Sequence, residues 1–180
     1  MHPSDPPSTG PRQPRLVEVL IDDATWEAAA AERRAEWRVV FAELVSEHRF
    51  DVEIDAPHDD RVRMFVTSGA DGLTLDLRGV DGRDVAHVEL PLGELQAILK
   101  EYMETCREMG KLHLGENSPR LEALDIAKRI VHDEGGEAVQ RMARALRPDH
   151  ATSRRLFTLI VTLRFDTTRL ALPHPPPLRR

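Results

Sequence analysis

Crosslinking chemistry is nearly absent from this sequence. Cys106 is its single cysteine, which excludes an intramolecular disulfide and removes any need for an oxidising compartment. No stretch approaches the roughly 18 consecutive apolar residues that cross a bilayer. Residues 1–15 are rich in proline and polar side chains and lack the apolar run that directs secretion. A cytoplasmic protein with no membrane-inserted segment is therefore expected. Also missing are Gly-x-Gly-x-x-Gly, the phosphate-binding loop, Gly-x-Ser-x-Gly, Cys-x-x-Cys and His-Glu-x-x-His. Each of these holds a phosphate, a nucleophile or a zinc ion by a spacing that nothing here reproduces. No cofactor and no metal ligand set is expected.

What remains is enough for one ordinary core: 180 residues, 41% of them hydrophobic. Five of the 13 prolines lie in residues 1–15 and four more at 173–177. Residues 1–15 and 166–180 accordingly read as disordered tails on a single domain, 16–165. Leu16 to Ile21 is a short β-prone run. Asp22 or Asp23 then caps a helix towards His48, in which Trp37, Val40, Phe41, Leu44 and Val45 form one stripe, extended backwards by Trp26 and Ala30 but interrupted there by Arg33. Three alternating runs follow, with Val62, Met64 and Val66, then Leu73, Leu75 and Leu77, then Ala86, Val88 and Leu90 on one face. The connections Gly69 to Gly72 and Asp81-Gly82 are hairpin turns. A meander with one dry face needs a cover, and amphipathic helices supply it. One carries Leu92, Leu95, Leu99, Tyr102, Cys106 and Met109 after Pro91, and the last carries Leu156, Phe157, Ile160 and Leu163 after Asp149 or Thr152. The fold class is α+β, a three- to four-stranded antiparallel meander against about four helices.

Between these helices, Ser118 to Leu146 is the segment around which the chain is organised. Ser118 caps and Pro119 opens a helix with Leu121, Leu124, Ala127 and Val131 on its apolar face. At about 100° per residue, Asp125, Arg129 and His132 fall within roughly a 60° arc beside that face. The Gly135-Gly136 pair is expected to interrupt the helix just beyond them. His132 and Glu134 invite a general-base reading, since imidazole titrates near neutrality. They nevertheless point about 200° apart unless the helix ends there. The structural alternative pairs Asp125 with Arg129 and Arg129 with Asp133 and leaves His132 hydrogen-bonded at a packed edge.

Charge is divided unevenly. Residues 1–139 carry 16 basic and 29 acidic side chains, whereas residues 140–180 carry nine arginines and two aspartates. Guanidinium groups bind phosphate well, but a chain of net charge −6 repels a polyanion at long range. Pairing of the basic end with the acidic remainder is the favoured use. Arg154-Arg155, near the start of the last helix, could hold an anion beside free backbone N–H groups.

On Asp125, Arg129, His132-Asp133-Glu134-Gly135 and Arg154-Arg155-Leu156-Phe157-Thr158-Leu159-Ile160 the chain resembles a small bacterial protein family known only as uncharacterised. The family more often has His-Asn-Glu-Gly where this chain has Asp133. The resemblance spans about residues 16–165 and implies a bacterial cytoplasmic protein, with no established activity, substrate or catalytic residue. The reading favoured is a non-catalytic interaction or regulatory module, whose partner is an unidentified protein or a second copy. Second is an enzyme or ligand-binding protein using Asp125, Arg129, His132 and Glu134, with Arg154 or Arg155 approaching from the last helix. Nucleic-acid binding through the C-terminal arginines ranks third.

Overall fold

A computed structural model of the chain describes residues 12–55, 59–112 and 119–169. The order is β1 (Arg15–Ile21), α1 (Asp23–Ala28), α2 (Ala31–Ser46), β2 (Arg61–Ser68), β3 (Gly72–Gly79), β4 (Asp84–Pro91), α3 (Leu92–Lys111), α4 (Pro119–Met142) and α5 (His150–Arg164), then a 3-10 turn at Thr167–Arg169. The strands form one sheet in the order β1-β2-β3-β4. β2, β3 and β4 make the expected antiparallel meander. The sheet as a whole is mixed, because β1 joins β2 in parallel. A parallel neighbour needs a crossover of a dozen or more residues, and α1 and α2 supply it.

The helix expected from Asp22 towards His48 is two helices, so the described residues hold five helices where about four were expected. Asp22 caps α1, its carboxylate accepting the Thr25 N–H at 2.8 Å. Ala29 and Ala30 then turn extended, with ψ of 144° and 158°. This fold-back brings the Trp26 ring 6.1 Å from Trp37. Arg33, the interruption in the apolar stripe, donates from Nη2 to the carbonyls of Thr162 and Leu163 at 3.1 and 3.0 Å. It thereby satisfies carbonyls that the end of α5 leaves without helical partners.

Alternation in the strands buries Val62, Met64, Val66, Leu73, Leu75, Leu77, Val88 and Leu90 against the helices. Ala86, on the same face, is only half-buried. The helix at the centre is α5, not α4: from Leu156 to Leu163 only Thr158 is less than buried. By contrast the first half of α4 is peripheral, with Ile126 52% and Ile130 54% exposed. The glycine pair does not interrupt α4, which runs unbroken through it to Met142. A Cβ on Gly135 would lie 2.5–2.6 Å from three ring carbons of Phe157, and one on Gly136 would lie 2.7 Å from Cγ of Arg154. Both glycines exist for close approach of α4 to α5, which offsets their cost of roughly 1 kcal/mol each in helix propensity.

Packing reaches past both expected domain limits. Arg12 bridges to Ile54, and Thr167 is buried with its hydroxyl 2.5 Å from Oε1 of Glu36. The proline-rich stretches 1–11 and 170–180 lie outside the described residues, as does Ser118; Pro119 is the first residue of α4, as expected. No described helix is long and apolar enough to cross a membrane.

Candidate functional site

The candidate residues do not converge. Asp125 and Arg129 pair with each other at 2.5 Å on an exposed stretch of α4, and Asp125 lies about 10 Å along the axis from His132. Arg129 does not bridge on to Asp133, which turns instead towards α5. Glu134 is exposed and, among the described residues, has no hydrogen bond or ion pair. Because α4 continues through the glycines, Glu134 keeps the roughly 200° separation from His132 that helical geometry imposes. Arg155 pairs with Glu47 at the end of α2, away from the cluster. Of the six candidates, Asp125 meets Arg129 within α4, and across two helices the one pair that meets is His132 and Arg154.

Their meeting is a closed circuit across the α4–α5 joint. Nε of Arg154 donates to Nδ1 of His132 at 3.1 Å. An imidazole that accepts at Nδ1 carries its proton on Nε2, and that N–H donates to the Thr158 hydroxyl at 2.9 Å. The hydroxyl in turn donates to the Arg154 carbonyl at 3.2 Å. On its flanks the imidazole meets the Phe157 ring edge-on, centroids 5.4 Å apart, and the Tyr102 ring at 5.9 Å. Both ring nitrogens are occupied, and the ring is mostly buried.

The electrostatics follow from that enclosure. Burial, then the neighbouring Arg154 charge, holds His132 down at about 4, with Lys128 and His150 acting in the same direction and Asp133 opposing them. Protonation would also set an Nδ1–H against the Nε–H of Arg154, donor facing donor. Asp133 Oδ1 lies 2.9 Å from the same Nε and 3.6 Å from Nε2 of His150. It makes no aligned hydrogen bond, because the single N–H points at the imidazole. We therefore read Arg154 and Asp133 as an ion pair beside the circuit. Lys128 places Nζ 5.9 Å from the Tyr102 ring centre, a cation–π contact in place of the buried carboxylate its position on the helix could have demanded. Cys106 is fully buried, and desolvation raises its thiol, which disfavours the nucleophilic thiolate.

Tyr102 on α3 and His150, Phe157 and Thr158 on α5 complete the neighbourhood, and nothing in the order of residues along the chain joins them to His132. Among the described residues, no three His, Cys, Asp or Glu side chains gather closely enough to hold a metal ion. A second polar cluster is on the outer face of the sheet, where His87 Nδ1 and Asp76 Oδ1 lie 2.6 Å apart and Glu89 lies 3.7 Å from Nε2. The Asp76 hydrogen bond raises His87 above its ordinary value.

This geometry can be set beside known proteins. No solved structure matches the chain. An uncharacterised protein of Maricaulis maris is 33% identical over 152 residues, covering 83% of this chain and 92% of its own length. A protein of Bradyrhizobium diazoefficiens is 29% identical over 160 residues, 88% of this chain and 96% of its own, and one of Rhodospirillum rubrum is 27% identical over 150 residues, 82% and 91%. All three carry the same family designation, and the family's model matches residues 13–166. The chain belongs to the bacterial uncharacterised protein family UPF0262.

Proposed function

We propose that this protein is a non-catalytic interaction or regulatory module of the bacterial cytoplasm. The observation that supports this most directly is the closure of His132. A general base needs a free nitrogen within hydrogen-bond reach of a substrate; here Nδ1 accepts from Arg154 and Nε2 donates to Thr158. Asp125 and Arg129 pair with each other on α4 and Arg155 pairs with Glu47, which also favours this reading over a site built round His132.

A second reading keeps one observation in its favour. Arg154, Asp133 and His150 have side chains 41%, 47% and 49% exposed, so a small ligand could reach the rim of the joint without entering it. His132→Ala separates the two. In the module reading it strips partners from Arg154 and Thr158 and opens a void beside Phe157, costing about 1–3 kcal/mol for the lost hydrogen bonds alone. The variant then melts several degrees lower, with no metal or small molecule released from either protein on denaturation. Unchanged melting together with loss of a molecule that copurifies with wild type would establish the ligand-binding reading instead.

A further inference from the structure

The sheet ends in β1 on one side and β4 on the other, and the two edges differ. At β1 the Leu16 N–H donates to Nε2 of His48 at 2.9 Å, and a bulge between Leu16 and Glu18 turns Val17 out of register. Bulges and covering groups are the usual means of blocking strand addition. β4 is the terminal strand on the other side. Among the described residues, no group from another segment hydrogen-bonds to its outer side.

The phase of the ladder decides which groups face outward. Leu92 N donates to Asp71 O at 2.9 Å, in the same register that sets Leu73 opposite Leu90 and Leu75 opposite Val88. Opposed residues in an antiparallel ladder alternate between pairs that exchange both hydrogen bonds and pairs that exchange none. Ala86, Val88 and Leu90 therefore turn their N–H and C=O groups towards β3, while His87 and Glu89 turn theirs away. On one side of this window Pro91 has no N–H. On the other, Val85 is the extra residue of a bulge, since Leu77 pairs with Ala86 and Arg78 with Asp84. The open edge is thus a short window bearing His87 and Glu89, both exposed, with side chains of opposite character.

We propose that two copies of this chain join along β4, antiparallel about a two-fold axis through Val88, to make one continuous sheet. In that register His87 lies opposite Glu89 of the partner subunit, twice by symmetry, and each pair exchanges both main-chain hydrogen bonds. Val88 meets its own copy on the helix side, and Ala86, half-buried in the single chain, gains a neighbour in Leu90 of the partner subunit. Moving the axis to His87 would set imidazole against imidazole and leave Glu89 facing the bulge. Only the register centred on Val88 uses both residues of the window and sets an imidazole against a carboxylate. This goes beyond the interaction reading and does not depend on it, since an enzyme could dimerise in the same way.

The full-length chain is examined by sedimentation velocity across a concentration series. Wild type shows a monomer–dimer equilibrium. His87→Glu sets carboxylate against carboxylate and Glu89→Lys sets ammonium against imidazole, so each variant alone weakens the dimer about tenfold or more. Circular dichroism and melting temperature verify that both variants are folded. Mixed in equal amounts, they recover dimer, because Glu at 87 then faces Lys at 89 and the unaltered His87 faces the unaltered Glu89. Native mass spectrometry reads that recovered species as the heterodimer. A wild type that stays monomeric to its solubility limit overturns the proposal. So does a dimer insensitive to Glu89→Lys, or a mixture that does not recover.

Discussion

Replacing Gly135 by alanine raises helix propensity and yet is expected to destabilise the fold. At an open helical position the exchange gains about 1 kcal/mol. Here the new methyl would sit 2.5–2.6 Å from three ring carbons of Phe157, well inside the carbon–carbon optimum of about 3.5–4.0 Å. The ring cannot withdraw freely: it is fully buried and meets Tyr102 and His132 edge-on at 5.7 and 5.4 Å. Overpacking a closed core costs about 1–3 kcal/mol, and three simultaneous sub-contact distances place this site at the upper end. Net of propensity, the loss is about 2 kcal/mol, or a melting temperature lower by about 4–8 °C for a chain of this size. Gly93→Ala is the internal control, because nothing lies within 4 Å of its added Cβ. Thermal melts followed by circular dichroism should show the first variant below wild type and the second at or slightly above it. If Gly135→Ala melts with Gly93→Ala at or above wild type, the joint is looser than described and the reasoning fails.

Acid should weaken the fold through His132. Its folded value of about 4 lies below the ordinary 6.5, so the unfolded chain binds a proton that the folded chain refuses. The stability it confers is complete above the unfolded value and is lost as pH falls towards the folded one, by about 2 kcal/mol between pH 7 and pH 5. His132→Gln cannot titrate, and its stability curve measured by urea unfolding should be flatter by that amount; parallel curves would contradict the assignment. The C-terminal arginines should confer no nucleic-acid affinity at physiological salt. Arg147 is bound to Asp51, Arg154 to Asp133, Arg155 to Glu47 and Arg164 to the carbonyls of Gly69 and Ala70. A sub-micromolar gel shift with a steep salt slope would overturn that expectation.

Some of this architecture was legible because its periodicity is local. Met64, Leu75 and Val88 occupy inward positions of alternating strands, and period-two burial shows directly in the residue order. The parallel place of β1 was not legible, since Leu16 to Ile21 has the same composition whichever neighbour it takes. Nor was the break at Ala29 and Ala30. Alanine is the best helix former, and the break accompanies the packing of Trp26 on Trp37, a tertiary contact that overrides propensity. Gly135 and Gly136 were legible as special and misread in kind. Glycine serves as a breaker or as a close-packing residue, and the atoms that decide between these uses belong to Arg154 and Phe157 on another helix. Asp133 failed for a related reason: helical spacing offers Arg129 as its partner, whereas the opposing helix offers Arg154 in better position. His132 at a packed, hydrogen-bonded edge was foreseeable from its place beside the apolar face, but Thr158 as its acceptor was not.

The central claim is that His132 is a neutral, enclosed part of the α4–α5 joint. Nitrogen-15 NMR of the imidazole through a pH titration tests it most directly, because tautomer and titration are read from one resonance set. The account predicts a neutral ring protonated on Nε2 that stays neutral at pH 5 and titrates only near 4. A ring protonated on Nδ1, or one titrating at its ordinary 6.5, would contradict it.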